Sequence, residues 1–358
     1  MSGASGSAGN AVSRAADYLK HYDGPEVRIM EVCGTHTHEI FRLGIRRMLS
    51  EKIRLISGPG CPVCVTPAGF IDEAVYLADK NCVICTFGDL VRVPGNHGSL
   101  QRAREKGAQI RVVYSPQDAE RYAEEHPDQE VVFLSVGFET TTPSECIAVR
   151  DAKRKGLKNF SLLTANKTMP SAYRAMSDAA DVYLYPGHVH AMIGTKLCEA
   201  LTEEGISGVC AGFTGKELVT ALAAAVTSFE KGEPFFLNAY PRVVRQEGSP
   251  AAIRLVDEIM EPCDAFWRGL GVIPESGMRL REAYADYDAR KKYDIPVMKG
   301  NGNPACRCGD VLRGSIEPHM CPMFGRGCTP EHPVGACMVS SEGACSAWYQ
   351  YGDTGMIR

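Results

Sequence analysis

The sequence predicts an α/β chain with two parallel-sheet domains built from strand–loop–helix units, followed by a small cysteine-rich domain. Three observations carry this prediction. Between residues 27 and 89, short apolar strands end three times in loops of unusual residues, and a helix follows the first two. Between residues 131 and 230 the same pattern returns four times. Then six of the fifteen cysteines fall between Cys306 and Cys345, in a stretch punctuated by glycine and proline. Repeated strand–loop–helix units point to open parallel sheets, whose loops gather along one edge.

The 358 residues allow two or three domains, and 44% hydrophobic residues allow a sizeable core. The formal net charge of -4 carries no basic footprint for nucleic acid. No apolar run approaches the roughly 18 residues of a transmembrane helix, so no membrane contact is expected. Residues 1–10 are small and polar, without the basic and apolar regions of a signal peptide. They read as a disordered lead or a cloning remnant. The expected compartment is the cytoplasm, where so many thiols act as metal ligands, redox groups or apolar fillers instead of a static disulfide framework. The expected divisions are a lead and short helix at 1–22, an α/β domain at 23–125, a second at 126–248, and a helical, cysteine-rich domain at 249–358.

Taken in order, residues 11–21 form a short helix with Val12, Ala15, Ala16 and Leu19 on one side. A strand at 27–32 runs into Cys33-Gly-Thr-His36-Thr-His38, and a helix at 39–49 follows. A second strand at 53–57 runs into Gly58-Pro-Gly-Cys61-Pro-Val-Cys64, with a helix at 67–79 behind it. A third strand at 82–86 ends in Phe87-Gly-Asp89. If one sheet holds all three, Cys33, His36, His38, Cys61, Cys64 and Asp89 share one cleft. A Cys-x2-Cys at a strand-to-helix junction sets the first sulfur near helix N-terminal amides, which favours the reactive thiolate. The same pair also suits half of a zinc site. Cys33 and His36 can face one ion, or His36 can serve Cys33 as a base. His38 is equally suited to capping the following helix.

The second round has strands at 131–136, 160–164, 182–184 and 208–211. Helices are expected at 144–155, after Pro170, at 191–203 and at 215–230. Its loops carry Glu139 with Thr140 and Thr141, and His188 with His190. Glu139 and the threonines can bind an anion or a partner thiol, or the threonines can simply cap the helix. His188 and His190 suit ligation, proton transfer or hydrogen bonding at a domain junction. Neither half contains a Gly-x4-Gly-Lys-Ser/Thr loop or a Gly-x-Gly-x2-Gly turn, so nucleotide binding has no motif. Beyond them, a helix is expected at 250–260, packing of Trp267, Leu270 and Ile273 at a junction, a charged helix at 278–291, and a turn-rich lead at 296–304.

The cysteine run has too few apolar side chains to order itself by burial, so a metal centre or disulfides must do so. Structural zinc usually takes two closely spaced pairs. Here the only tight pair is Cys306-x-Cys308, and the other gaps are long. Iron–sulfur clusters accept wider spacing. Four ligands have to come from Cys306, Cys308, Cys321, Cys328, Cys337 and Cys345, and spacing alone does not choose them.

Six motifs in this order resemble the HypD family of [NiFe]-hydrogenase maturation factors. They are the Cys33, Cys61/Cys64 and Asp89 loops, Gly137-Phe-Glu-Thr-Thr-Thr-Pro143, Pro186-Gly-His-Val-His190 and the cysteine run. The resemblance covers the chain from about residue 28. It implies that Cys306, Cys321, Cys328 and Cys345 ligate a [4Fe-4S] cluster, since their spacing matches the family's. It leaves Cys308 and Cys337 as a redox pair beside the cluster. It implies that Cys33 binds iron of a transient Fe(CN)2CO unit, with His36 beside it, and that Cys61 and Cys64 are a second thiol pair. The implied partners are a HypC-type chaperone, a HypE-type cyanide donor served by HypF, and indirectly the hydrogenase large subunit. Two other readings of the residues remain: a stand-alone iron–sulfur thiol–disulfide oxidoreductase, and a zinc-stabilised binding protein.

Overall fold

The computed structural model describes residues 4–296, 298, 300 and 302–352. The fold is α/β with parallel sheets. Its strands begin, in chain order, with β1 (Val27–Glu31), β2 (Ile53–Ser57), β3 (Val83–Thr86), β4 (Ile110–Val112) and β5 (Val131–Ser135). They continue with β6 (Phe160–Thr164), β7 (Val182–Pro186), β8 (Ser207–Ala211) and β9 (Phe236–Asn238). One sheet has the order β2-β1-β7-β8-β9 and the other β4-β3-β5-β6, with all pairs parallel. Strands β5 to β8 are buried at every residue, as a sheet with both faces covered requires.

The sheets do not follow the contiguous 23–125 and 126–248 division. β1 and β2 pair with strands of the second half, and Ile29 lies between Leu55 and Val182. β3 and β4 join β5 and β6 instead. The chain leaves the first sheet after β2, builds the second, and returns at β7. Every parallel connection already needs a helical crossover, so the strand–loop–helix rhythm is the same whichever sheet receives the next strand.

The first helix runs over Ala4–Lys20, so part of the expected disordered lead is helical. Residues 1–3 lie outside the described ones. Its Leu19 is 0% exposed and packs with Leu218, Leu222 and Ala225 of the helix Gly215–Phe229. That burial contributes about 2 kcal/mol. The expected helix at 39–49 is two, Gly34–Arg42 and Ile45–Met48, broken where Gly44 takes φ 67. The helix expected at 191–203 is likewise split, into Gly187–Ile193 and Lys196–Glu203.

The expected charged helix at 278–291 is a correction. After the helix Pro250–Ile259, β10 (Met260–Trp267) and β11 (Gly271–Leu280) form an antiparallel hairpin, with Met260 opposite Leu280. Two short turns of helix come directly after it, at Glu282–Tyr287 and Ala289–Lys292. Arg, Glu and Ala at 279–285 favour helix, but strand pairing overrides such weak preferences. Trp267 and Ile273 are buried, and Trp267 donates from Nε1 to Ser276 Oγ at 2.7 Å. Trp267 shares one core with Cys61, Cys64, Cys308 and Cys337. The lead at 296–304 includes residues 297, 299 and 301, which lie outside the described ones.

Candidate functional site

β1 and β2 are neighbours, so the loops that leave them meet. Gly34 N–H donates to Gly60 O at 3.0 Å, tying the Cys33 loop to the Cys61 loop. A Cβ at Gly60 would lie 2.1 Å from Cys33 N, so only glycine permits this approach. Beneath the loops, the buried Glu31 carboxylate accepts from Arg46 Nη2 at 2.6 Å, Thr37 Oγ1 at 2.7 Å and Ser57 Oγ at 3.1 Å. These contacts pin β1, β2 and the helix Gly34–Arg42 together.

Cys33 stands at the N-cap of that helix, with φ -151 and ψ 124. Its thiol makes no cap hydrogen bond to that helix, and the backbone amides of His36 and Thr35 lie near it. Burial pushes it up to about 12 in spite of those amides, and the Glu342 carboxylate adds to the rise. The next loop puts Cys61 at the N-cap of the short helix Pro62–Val65, where its Sγ accepts from Cys64 N–H at 3.3 Å. The expected sulfur-to-amide geometry at this junction is present.

Cys306, Cys308, Cys321, Cys328, Cys337 and Cys345 line one small cavity of about 20 Å³. Val334 N–H donates to Cys328 Sγ at 3.3 Å. Cys345 has Cys337, Cys306, Cys328 and Cys321 around it. The Cys64 thiol is in hydrogen-bonding contact with both Cys337 and Cys61, and burial, then these neighbours, push it well above the ordinary thiol range. A line of touching thiols therefore runs from the cavity through Cys337 and Cys64 to Cys61. Among the described residues, no three His, Cys, Asp or Glu side chains converge as they would around a single ion.

The segment between Cys337 and Cys345 fastens the cavity to the loops. Glu342 accepts from Thr35 Oγ1 at 2.7 Å, and Ser340 Oγ donates to Asp89 at 2.9 Å. Phe41 and Trp348 meet edge to face with ring centres 5.4 Å apart.

Comparison with known proteins identifies the family. The sequence model of the family described as "HypD: Hydrogenase formation hypA family" matches residues 10–352. The chain belongs to the HypD family. It is 44% identical over 356 residues to "Hydrogenase maturation factor HypD2" of Bradyrhizobium diazoefficiens, covering 96% of this chain and 92% of that one. It is 42% identical over 355 residues to "Hydrogenase maturation factor HypD" of Rhodobacter capsulatus, covering 95% and 93%. The Escherichia coli K12 protein of that name is 41% identical over 345 residues, covering 94% and 92%. As a HypD-family protein the chain is a hydrogenase maturation factor. No helix among the described residues is long and apolar enough to cross a membrane.

Other expected residues of this HypD-family chain fall in different places. Cys308 and Cys337 share the cavity, but Cys308 makes its thiol contact with Cys306, whereas Cys337 makes one with Cys64. The His36 ring lies against Gly212 O, 3.0 Å from Nε2, with the Phe213 ring centre 4.7 Å from its own. Among the described residues its Nδ1 has no hydrogen-bond partner. Burial first, then nearby His188, lowers it to about 3, so the ring is neutral. His188 stacks on Phe213 at 5.0 Å. His190 is buried, with Nδ1 2.9 Å from Gly194 O and 3.5 Å from Cys198 Sγ, both within the segment between β7 and β8. His38 meets Ser341 O at 3.3 Å instead of capping its own helix. Thr141 occupies the N-cap of its helix without a side-chain cap bond. Glu139 accepts from Met169 N–H at 2.8 Å and lines a separate apolar cavity. Sequence reasoning missed Glu342. Only its position between two cysteines of the run marks it.

Proposed function

We propose that this chain is the scaffold on which the Fe(CN)2CO unit of [NiFe]-hydrogenase is assembled, together with a HypC-type chaperone. The observation that carries the proposal is the line of thiols from the six-cysteine cavity through Cys337, Cys64 and Cys61 to the loop of Cys33. Low-spin iron(II) bearing cyanide and carbon monoxide favours soft thiolates. Cys33 supplies one, and a chaperone thiolate supplies the other. Two thiolates shared between two proteins release the finished unit more readily than a closed cage. Cyanide comes from a HypE-type donor served by HypF, and the unit passes on to the hydrogenase large subunit. The proton that burial keeps on Cys33 leaves when the iron binds.

Cys306, Cys321, Cys328 and Cys345 are the residues that hold a [4Fe-4S] cluster. All four line the cysteine cavity, and their thiolates are the donors an iron–sulfur cluster takes. When bound, the cluster supplies single electrons beside Cys308 and Cys337. The thiols then exchange. The Cys337 thiolate attacks Cys64 Sγ of a Cys61–Cys64 disulfide, and Cys61 leaves as thiolate and takes up a proton. The Cys308 thiolate attacks Cys337, and Cys64 leaves and is protonated. The Cys61/Cys64 dithiol has gained two electrons and two protons, and Cys308–Cys337 has become the disulfide. Two equivalents of an external one-electron reductant restore that pair. Reducing equivalents thus reach the thiols beside Cys33, where the iron acquires its ligands. A chain so rich in thiols suits work in the reducing cytoplasm. Cys61→Ser and Cys64→Ser proteins should assemble the ligated iron far more slowly. Assembly at the normal rate would remove the relay from the scheme.

A further inference from the structure

A second cavity, of about 660 Å³, lies between the hairpin β10–β11 and the loop after β6. Its walls include Phe70, Phe266, Met278, Glu73, Arg290 and Lys167. The volume is in the range of small-molecule sites. Two of its cations are already held: Arg290 pairs with Glu73 at 2.7 Å, and Arg279 with Glu261 at 2.9 Å. Lys167 is different. It is 2% exposed, and among the described residues no carboxylate pairs with it. Its Nζ donates to Ala165 O at 3.3 Å and lies 5.7 Å from the centre of the Trp267 ring. An ammonium carries three donors, and this one has a single, long hydrogen bond.

A buried charge without a counter-ion is costly, and such a group either gives up its proton or awaits an anion. Burial first, and then the nearby Arg290, lowers the Lys167 amine to about 7. The acids on the cavity wall do not answer it, because Glu73 is taken by Arg290 and Asp264 sits at the exposed rim, accepting from Glu275 N–H. Apolar walls at Phe70, Phe266 and Met278 suit the carbon skeleton of a ligand.

We propose that this cavity binds a small organic anion, a carboxylate or a phosphate ester, whose acid group pairs with Lys167 Nζ while its apolar part lies against Phe70, Phe266 and Met278. The site is separate from the thiol line. The Trp267 ring has Lys167 near it and packs into the core that contains Cys64, Cys308 and Cys337.

The test is calorimetric titration of the full chain, purified anaerobically, with benzoate and with phenyl phosphate, and benzyl alcohol as the neutral probe. At least one anion should bind saturably, the tighter of the two naming the acid group, and the alcohol should not bind. Lys167→Met should weaken the anion about tenfold or more, as loss of a charge-assisted hydrogen bond does. Val272→Trp, at the exposed rim of the cavity, should block entry without touching the core, and it decides the matter if the lysine variant does not fold. The proposal is overturned if neither anion saturates the wild-type chain. It is equally overturned if a folded Lys167→Met protein, or the Val272→Trp protein, binds as tightly as wild type.

Discussion

The Cys64 thiol touches the Cys337 thiol, joining the loop after β2 to the cysteine-lined cavity near the C-terminal end of the described chain. Cys337 lines that cavity but is not among the four proposed cluster ligands, so the Cys337→Ser protein should keep its iron. After stoichiometric reduction with a one-electron donor, alkylation and mass measurement should find Cys61 and Cys64 reduced in wild type and still oxidised in the variant. Equal reduction in both would mean that electrons reach Cys61 by another path.

Gly60 is the point where two loops are closest. An added Cβ meets backbone atoms of Cys33 at 2.1 to 2.5 Å, and backbone cannot swing aside as a side chain does. Gly60→Ala should cost about 1–3 kcal/mol in urea unfolding, the usual range for overpacking. The same protein should retain little ligated iron, because the Cys33 loop has to move.

Glu31 is 0% exposed, and Arg46 is its cationic partner. Arg46→Met leaves a buried carboxylate without compensation, which costs about 3–5 kcal/mol. Urea midpoints of the variant and wild type measure this. A loss below 1 kcal/mol would show that Thr37 and Ser57 alone satisfy the charge.

Burial raises Glu139 from its ordinary value near 4.5 to about 7, and among the described residues one of its oxygens has no partner. Below pH 4.5 the carboxyl is protonated in both folded and unfolded chains. Between 4.5 and 7 only the unfolded chain ionises, so the stability this group provides falls as the pH rises through that window. Glu139→Gln stays neutral throughout. Its stability relative to wild type should therefore climb from pH 4.5 to 7 and level off above, as read from urea midpoints. A constant difference would contradict the raised value.

Local chemistry was more legible in the sequence than long-range pairing. β2 and β6 lie at the expected residues, because each is an apolar run closed by glycine or polar punctuation. The Cys61 junction was readable because a strand end, two prolines and two cysteines specify a local geometry. The exchange of strands between sheets was not readable, since β1 finds β7 only after the second sheet has been built. The hairpin was hidden by residues with helical preference. Glu342 has as local signal only its place between two cysteines of the run, and Lys167 has none. Each matters because of what folding brings beside it: Thr35 and Cys33 for the first, a cavity without a counter-ion for the second.

The central claim, that iron with cyanide and carbon monoxide is held at Cys33, is tested most directly by an infrared spectrum. The sample is the protein isolated anaerobically with its small chaperone, under active cyanide supply. Both ligands absorb where polypeptide does not. The account predicts bands from both in wild type and their loss in Cys33→Ala with the cluster intact. A wild-type sample with an intact cluster and no such bands would contradict it and favour a stand-alone thiol–disulfide oxidoreductase.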